Sequence, residues 1–371
     1  MRVVYFSQDY SAHDYRFLNA LGETEHEVLY LRLERRRNLE SRPLPPRVHG
    51  VDWWGGKGGF TWSDWPRMLL GLRKVIRQLK PDLIHAGPIQ HCAFPVSALG
   101  FKPLVSMSWG SDLLAGGRTG LGRATARFAL ERSAALIADC QAVRQAALAM
   151  GMRSDRIVVF PWGVDLEKFR PARGSRLRAE LGWDKAFVLI STRAWEPVYG
   201  IDVLVEGFCQ AAMADPRLRL LMLGGGRMAG LVQEKLAQAG MSDRVHLAGQ
   251  IEHDRLPEFY RASDLYLSAS HSDGSSVSLL EAMACGLPAL VSDILGNREW
   301  VEPGVNGWWF PDGDPAGLAA GIARAEVLDN LEALGKAGRK IVEVRADWTR
   351  NVGLVGEAYR LALADGPGGM T

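Results

Sequence analysis

The sequence predicts an α/β protein built as two domains, and three observations carry that expectation. A chain of 371 residues is long for one hydrophobic core and natural for two of ordinary size. Short apolar runs alternate with helical patterns at βα spacing from end to end, and no repeat or low-complexity tract interrupts them. Apolar residues make up 47% and charged residues 23%, the balance of a folded globular chain, and no apolar run approaches the ~20 residues that cross a bilayer.

Residues 3–6 read as a first strand and not as a signal peptide, because one basic residue precedes a short apolar stretch. A helix over 15–21 and a strand over 27–32 follow. From 35 to 66 the alternation lapses into Arg35-Arg-Arg37, a Pro-Leu-Pro-Pro stretch and a segment holding Trp53, Trp54, Phe60, Trp62 and Trp65. A long irregular segment inside a compact domain is usually functional or mobile. A basic run beside tryptophans suits an anionic bilayer surface, while rings packed under the loop or lining a groove are the favoured alternative. Residues 81–85 and 103–107 read as strands whose ends collect ligand groups at the carboxyl edge of a parallel sheet. A helix over 124–134, a strand over 135–139, a helix over 142–149 and a strand over 157–160 complete this half.

The second half restarts with a strand at 187–191 and a helix at 201–213. The strand 218–223 runs into Gly224-Gly225-Gly226, which lacks the spacing of a dinucleotide fingerprint and is by itself a plain strand-to-helix turn. Residues 245–247, 264–268 and 289–292 are further strands, and a helix over 348–363 closes the pattern.

The most informative stretch is Ser272-Asp-Gly-Ser-Ser-Val-Ser-Leu-Leu-Glu-Ala-Met-Ala-Cys-Gly-Leu-Pro-Ala-Leu-Val-Ser-Asp293. It reads as a polar, glycine-bearing loop opening into a short helix that Gly286 and Pro288 stop. A helix start offers unpaired N–H groups and a partial positive charge, so a phosphate can approach small residues there, with Ser275, Ser276 and Val277 as amide donors. Ser278 and Glu281 also fit the spacing of a capping box, the ordinary reading of Glu281. Side chains tilt toward a helix N-terminus, which instead brings Glu281 beside a bound anion to accept from ligand hydroxyls.

This segment resembles the donor-site signature of the retaining, nucleotide-sugar-dependent glycosyltransferases of family 4, also called group 1. That family pairs a loop acid with a helix Glu across seven residues; here the pair is Asp273 and Glu281, with Asp where the family usually has Glu, and Glu281-Ala-Met-Ala-Cys-Gly-Leu-Pro288 matches closely. The resemblance implies the GT-B fold, two Rossmann-like domains facing each other across a cleft, with a final helix over about 347–363 crossing back to the first. Pro161-Trp-Gly-Val-Asp165 and Phe169-Arg-Pro171 resemble the interdomain passage, which puts an acceptor-binding domain at 1–170 and a donor-binding domain at 171–371.

Residues Thr192 to Gly200 resemble the loop in which an Arg and a Lys grip the diphosphate. Arg193 falls on the Arg and Tyr199 on the Lys, the largest departure in the chain. A missing cation at a leaving diphosphate raises the barrier; Tyr199 can still donate a hydrogen bond, and Arg227 or Arg298 could supply charge. The implied roles are Glu281 on the ribose, Asp273 with Gly274 and the loop amides on the transferred sugar, and Arg193 with the helix start on the diphosphate. Gln250 and Ile251 would read the base, and Gly225 lies in a loop the family keeps near the donor. On the acceptor side Trp109-Gly-Ser-Asp112 stands where the family usually begins with His, and His13-Asp-Tyr-Arg16 where it has a glycine-rich loop. His13, His85 and His91 are candidate bases or acceptor ligands, a structural role being the ordinary one for each.

The implied function is a retaining, metal-independent transferase moving a sugar from a nucleoside-diphosphate sugar, UDP-sugars first, to a glycan or lipid-linked acceptor in surface polysaccharide assembly. The alternatives are a GT-B epimerase or hydrolase and a non-catalytic sugar-nucleotide-binding subunit. No cofactor is expected, and no metal, because no Asp-x-Asp metal motif is read in the sequence. Cys92, Cys140, Cys209 and Cys285 are scattered without C-x-x-C spacing, against zinc and against a disulfide framework, so the cytoplasm is the expected compartment. Residues 1–170 hold 24 Lys and Arg against 16 Asp and Glu, a balance of +8, and residues 171–371 hold 20 against 26, a balance of −6, which together give the formal +2. The basic half suggests an anionic partner, a membrane surface at the inner face or a phosphorylated acceptor, with solvated charge equally weighted and nucleic acid not expected.

Overall fold

The computed structural model describes every residue except 36–39, 60, 119, 173 and 365–371, together with all side chains but those of Trp62 and Arg118 in the rest. Arg36, Arg37 and Phe60 of the basic and aromatic stretch therefore lie outside the described residues. The chain forms two compact units, Met1–Phe160 with Val352–Thr371, and Pro161–Asn351. The division falls at Phe160, so the 161–170 passage belongs with the second unit.

The first unit is built on a parallel sheet of β1 (Arg2–Ser7), β2 (Glu27–Arg32), β3 (Val48–Gly50), β4 (Leu83–Gly87), β5 (Leu104–Met107), β6 (Ala135–Ala138) and β7 (Ile157–Val159), in the order β3-β2-β1-β4-β5-β6-β7. The order reverses between β1 and β4, the switch point outside whose carboxyl ends ligands collect in open α/β sheets. The segment expected to be irregular contributes the edge strand β3, and it runs into a helix, Trp65–Leu79, that the sequence reading passed over. Its buried Met68, Leu72, Val75 and Ile76 recur at helical spacing against the sheet. Trp53 packs into the same core, its indole N–H donating to Arg32 O at 2.8 Å, and Trp65 meets Phe94 edge-on. The expected closing helix is broken in two, Trp348–Asn351 and Leu354–Leu363, and the chain leaves the second unit for the first between Asn351 and Val352.

The second unit carries β8 (Phe187–Ser191), β9 (Leu218–Leu223), β10 (Val245–Gly249), β11 (Leu265–Ser268), β12 (Ala289–Ser292) and β13 (Gly307–Phe310), all parallel, in the order β10-β9-β8-β11-β12-β13. This is the dinucleotide-fold order, with its switch point between β8 and β11. Strands buried on both faces need apolar residues throughout, and here alternate residues feed two cores. Val188 and Ile190 pack with Leu279 and Leu280, whereas Leu189 packs with Ile201, Leu204 and Phe208 on the other face. The edge strand β13, Gly-Trp-Trp-Phe, was not among the strands read from the sequence, although an aromatic run between turn residues is itself a strand signal.

Candidate functional site

The loops at the carboxyl ends of β8 and β11 bring Arg193 and Asp273 together at the start of the helix Val277–Ala284. That helix begins after Ser276, and no side chain caps it, so its first-turn amides have no acceptor within the helix. Ser278 lies inside the helix, and the capping box with Glu281 is therefore not formed. The loop can lie close because position 296 is glycine: a Cβ there would collide with the carbonyl oxygens of Asp273 and Gly274.

Arg193 follows β8 after Thr192 and is 9% exposed. Its Nη1 donates to Ser276 Oγ at 2.7 Å and to Ser278 Oγ at 3.1 Å, and Tyr266 OH sits 2.8 Å from Ser278 Oγ. Its Nη2 lies 2.6 Å from Asp273 Oδ2, but off the hydrogen-bonding direction, so Asp273 Oδ2 is left without a hydrogen bond and so is Arg193 Nε. Two buried, oppositely charged polar atoms without hydrogen-bond partners are costly unless a ligand completes them. Burial alone would favour a neutral guanidinium, yet the Asp273 carboxylate more than offsets it and holds the Arg193 pKa above its ordinary value. For Asp273 burial dominates and raises the carboxyl pKa despite the pull of Arg193. The Tyr199 ring lies against the Arg193 guanidinium, its centroid 4.1 Å from the guanidinium carbon.

The two arginines considered as replacement cations are engaged elsewhere. Arg227 pairs with Glu196 at 2.6 Å, and Arg298 pairs with Asp293 at 2.5 Å.

Glu281 faces the same end of the helix and is 5% exposed. Tyr260 OH donates to its Oε2 at 2.9 Å, and His253 Nε2 lies 3.2 Å from its Oε1. His253 Nδ1 is in turn 3.0 Å from Lys168 Nζ. Neither His253 nor Tyr260 was singled out in the sequence, although His253 falls just beyond Gln250 and Ile251 in the loop after β10. In that loop Gln250 is exposed, and Ile251 packs against the core that holds the helix. Gly225 is exposed in the loop after β9, and its carbonyl accepts from Trp195 N at 3.0 Å, tying that loop to the Arg193 loop. Ser275 Oγ accepts from Trp300 Nε1 at 3.1 Å.

In the first unit His13 opens the helix Ala12–Gly22 and meets the Trp109 ring edge-on, centroids 5.7 Å apart, beyond the carboxyl ends of β1 and β5. Asp112 holds the Trp109 loop: its Oδ1 accepts from Ser108 Oγ, Trp109 N and Leu113 N, and its Oδ2 from Ile89 N. His91 is exposed on the turn Ile89–Ala93. His85 is fully buried in β4, its Nδ1 3.0 Å from Tyr359 OH, which is the structural role.

Among the described residues no group of three His, Cys, Asp or Glu side chains is placed to hold a metal, and no helix is long and apolar enough to cross a membrane. The sequence does contain one Asp-x-Asp, Asp312-Gly-Asp314, and both acids are engaged: Asp314 caps the helix Pro315–Glu326 and Asp312 pairs with His271 at 2.6 Å. All four cysteines are buried and unbridged.

Residues 175–341 match the family profile described as glycosyl transferases group 1, and residues 12–168 that described as glycosyltransferase family 4. The D-inositol 3-phosphate glycosyltransferase of Acidothermus cellulolyticus is 34% identical over 235 residues, covering 60% of this chain and 52% of its own. That of Segniliparus rotundus is 31% identical over 220 residues, covering 57% and 48%. The match thus spans about half the length of these curated relatives. Among solved structures, Anabaena HepE in complex with UDP has a TM-score of 0.77 at 20% identity, covering 97% of this chain and all of its own. Sucrose-phosphate synthase from Thermosynechococcus elongatus has a TM-score of 0.80 at 18% identity, covering 99% of this chain and all of its own. At such identities the likeness is one of fold.

Proposed function

The chain belongs to the group 1 glycosyltransferases, with the Rossmann-like units of the GT-B fold, and from that premise we propose that it transfers a sugar from a nucleoside-diphosphate sugar, UDP-sugars first, to a glycan or lipid-linked acceptor in surface polysaccharide assembly. The observation that carries this reading is the buried Arg193 at the uncapped start of the helix Val277–Ala284, with its Nε and Asp273 Oδ2 both lacking hydrogen bonds. An anionic leaving group docked there would meet helix amides, a helix dipole and a guanidinium at once. Two structural neighbours, HepE with UDP and HepE with UDP-glucose, support the choice of base.

The transfer proceeds with retention. The anomeric carbon–oxygen bond to the diphosphate breaks, the acceptor hydroxyl oxygen attacks from the same face, and its proton passes to the departing phosphate oxygen. Arg193 and the helix amides hold the diphosphate as its charge develops. Asp273 and Gly274 hold the sugar, the amides of Ser275, Ser276 and Val277 serve the diphosphate at the helix start, Glu281 holds the ribose, and Gln250, Ile251 and Gly225 the base and its surroundings. Tyr199 shields the guanidinium in place of a second cation. His13 and Trp109 flank the acceptor, with Asp112 fixing the Trp109 loop and His91 at the rim. No metal takes part.

A phosphorylated acceptor is the second reading, favoured by the +8 balance of residues 1–170 and by relatives that are named inositol 3-phosphate glycosyltransferases. Contact with an anionic membrane belongs to the same half. Arg67, Arg73, Lys74 and Arg77 are exposed along the helix Trp65–Leu79 beside Leu70, which is 69% exposed.

The test is nucleotide release from UDP-, GDP- and ADP-sugars, each with glycan, lipid-linked and inositol-phosphate acceptors. Acceptor-dependent release with an α-linked product from an α-linked donor, unchanged by a chelator, is the expected result. Release without acceptor would make the chain a hydrolase, and silence across the panel would reject transfer.

A further inference from the structure

We infer that His253 is a positioning residue for Glu281, and that Lys168 selects the His253 tautomer that does this; the inference rests on the donor reading above. Lys168 has only protons to offer through Nζ, so at 3.0 Å it must donate to His253 Nδ1. With Nδ1 accepting, the neutral imidazole carries its proton on Nε2, and that N–H points to Glu281 Oε1 at 3.2 Å. Tyr260 OH supplies the second donor, to Oε2 at 2.9 Å, and Thr192 Oγ1 lies 3.0 Å from the same hydroxyl. Each carboxylate oxygen thus spends one lone pair on the protein and keeps the other for a ligand hydroxyl.

The chain fixes the far end of this relay with care. Asp165 Oδ1 accepts from the amides of Glu167 and Lys168 at 3.0 Å each, setting the turn that presents Lys168. Arg261 then ties that turn down, donating through Nη2 to Lys168 O at 3.1 Å and through Nε to Arg170 O at 2.9 Å. Lys168 is also paired with Asp254, the neighbour of His253, so the ammonium is held between the two side chains. The His253 ring packs edge-on to Phe169 at 5.2 Å, which limits its rotation. A plain surface histidine has no need of such an arrangement. A ribose-binding carboxylate does, because two vicinal hydroxyls are told from one only if both oxygens are held at fixed angles.

The experiment compares His253→Leu, His253→Gln and Lys168→Met with the intact chain by calorimetric titration. The probe is whichever of UDP, GDP and ADP binds the intact chain most tightly, together with its 2′-deoxy and 3′-deoxy forms. The intact chain should prefer the ribose form by about tenfold or more, the value of a hydrogen bond to a charged group. His253→Leu should bind the ribose form about tenfold more weakly while binding the deoxy forms as before, so that the preference disappears. His253→Gln, which can accept from Lys168 and donate to Glu281, should restore it, and Lys168→Met should lose part of it. Melting temperatures of the variants separate this from a general loss of fold. A preference in His253→Leu equal to that of the intact chain overturns the positioning role, as does a variant that weakens ribose and deoxy forms alike. Failure of the intact chain to bind any of the three nucleotides overturns the donor reading together with this one, whereas binding without sugar transfer rejects the transferase alone.

Discussion

The Arg193 guanidinium sits over the ring of Tyr199, its carbon 4.1 Å from the ring centroid. Position 199 is where the resemblance expects a lysine, so an aromatic face replaces a second cation at this point of the loop. A ring over a desolvated guanidinium contributes ~2 kcal/mol and also fixes the plane in which its N–H groups point. Tyr199→Phe keeps that face and should leave kcat/KM for nucleotide release within about twofold, while Tyr199→Ala should lose about tenfold. Equal losses in both would show that the hydroxyl, and not the ring, does the work.

Arg193 and Asp273 should behave as a pair. Arg193→Ala strands a buried carboxylate and should destabilise the second unit by about 3–5 kcal/mol, whereas Arg193→Ala with Asp273→Ala removes both charges and should recover most of that loss. Denaturant midpoints of the two single variants and the double variant close the cycle. Nucleotide release should fall about a hundredfold or more in each variant, since the leaving diphosphate loses its cation in all that lack Arg193 and the sugar its loop acid in the other. A double variant no more stable than Arg193→Ala would remove the coupling.

The grouping at the start of the helix Val277–Ala284 was legible because its pattern is local: Asp273, Ser276 and Glu281 sit in one loop and helix, and Arg193 follows, after Thr192, a strand at 187–191 that the structure reproduces. The groups that orient them were out of reach. His253 and Lys168 approach Glu281 from segments 28 and 113 positions away by residue number, and nothing in the local pattern links them. The helix Trp65–Leu79 has a readable apolar period in Met68, Leu72, Val75 and Ile76, yet the irregular stretch read from the sequence ends at Pro66 and nothing was assigned to the helix itself. The capping interpretation of Ser278 failed for a related reason: spacing marks a possible box, and only the true helix start, after Ser276, decides whether it closes.

Glu281 gives the next prediction. Its two oxygens accept from Tyr260 and from His253, so an amide in its place would turn its own N–H group toward one of those donors. Glu281→Gln should therefore cost nearly as much as Glu281→Ala, about 2 kcal/mol or more in kcat/KM, despite its matched size. Steady-state nucleotide release measures both. A Gln variant with intact turnover would mean that size, and not the acceptor pair, is what the site requires.

At the central strands of the first unit's sheet, two buried groups should set opposing pH dependences. Burial lowers the His85 pKa from 6.5 to about 3, so between those values the unfolded chain binds more protons and stability is lost as pH falls. Burial raises the Asp14 pKa from 3.8 to about 6, against the hydrogen bonds it accepts from Ser11 and Tyr5, so there the folded chain binds more protons and stability is gained as pH falls. The two slopes oppose each other from about pH 6 to about pH 4. In Asp14→Asn the His85 slope is unopposed, and the variant should lose ~2 kcal/mol more than the intact chain between pH 6 and pH 4.5, from ~1.4 kcal/mol per pH unit. Other carboxylates titrate alike in both proteins and cancel in the comparison. Urea midpoints across that range give the two slopes, and parallel lines would mean that Asp14 is ionised in the folded chain throughout.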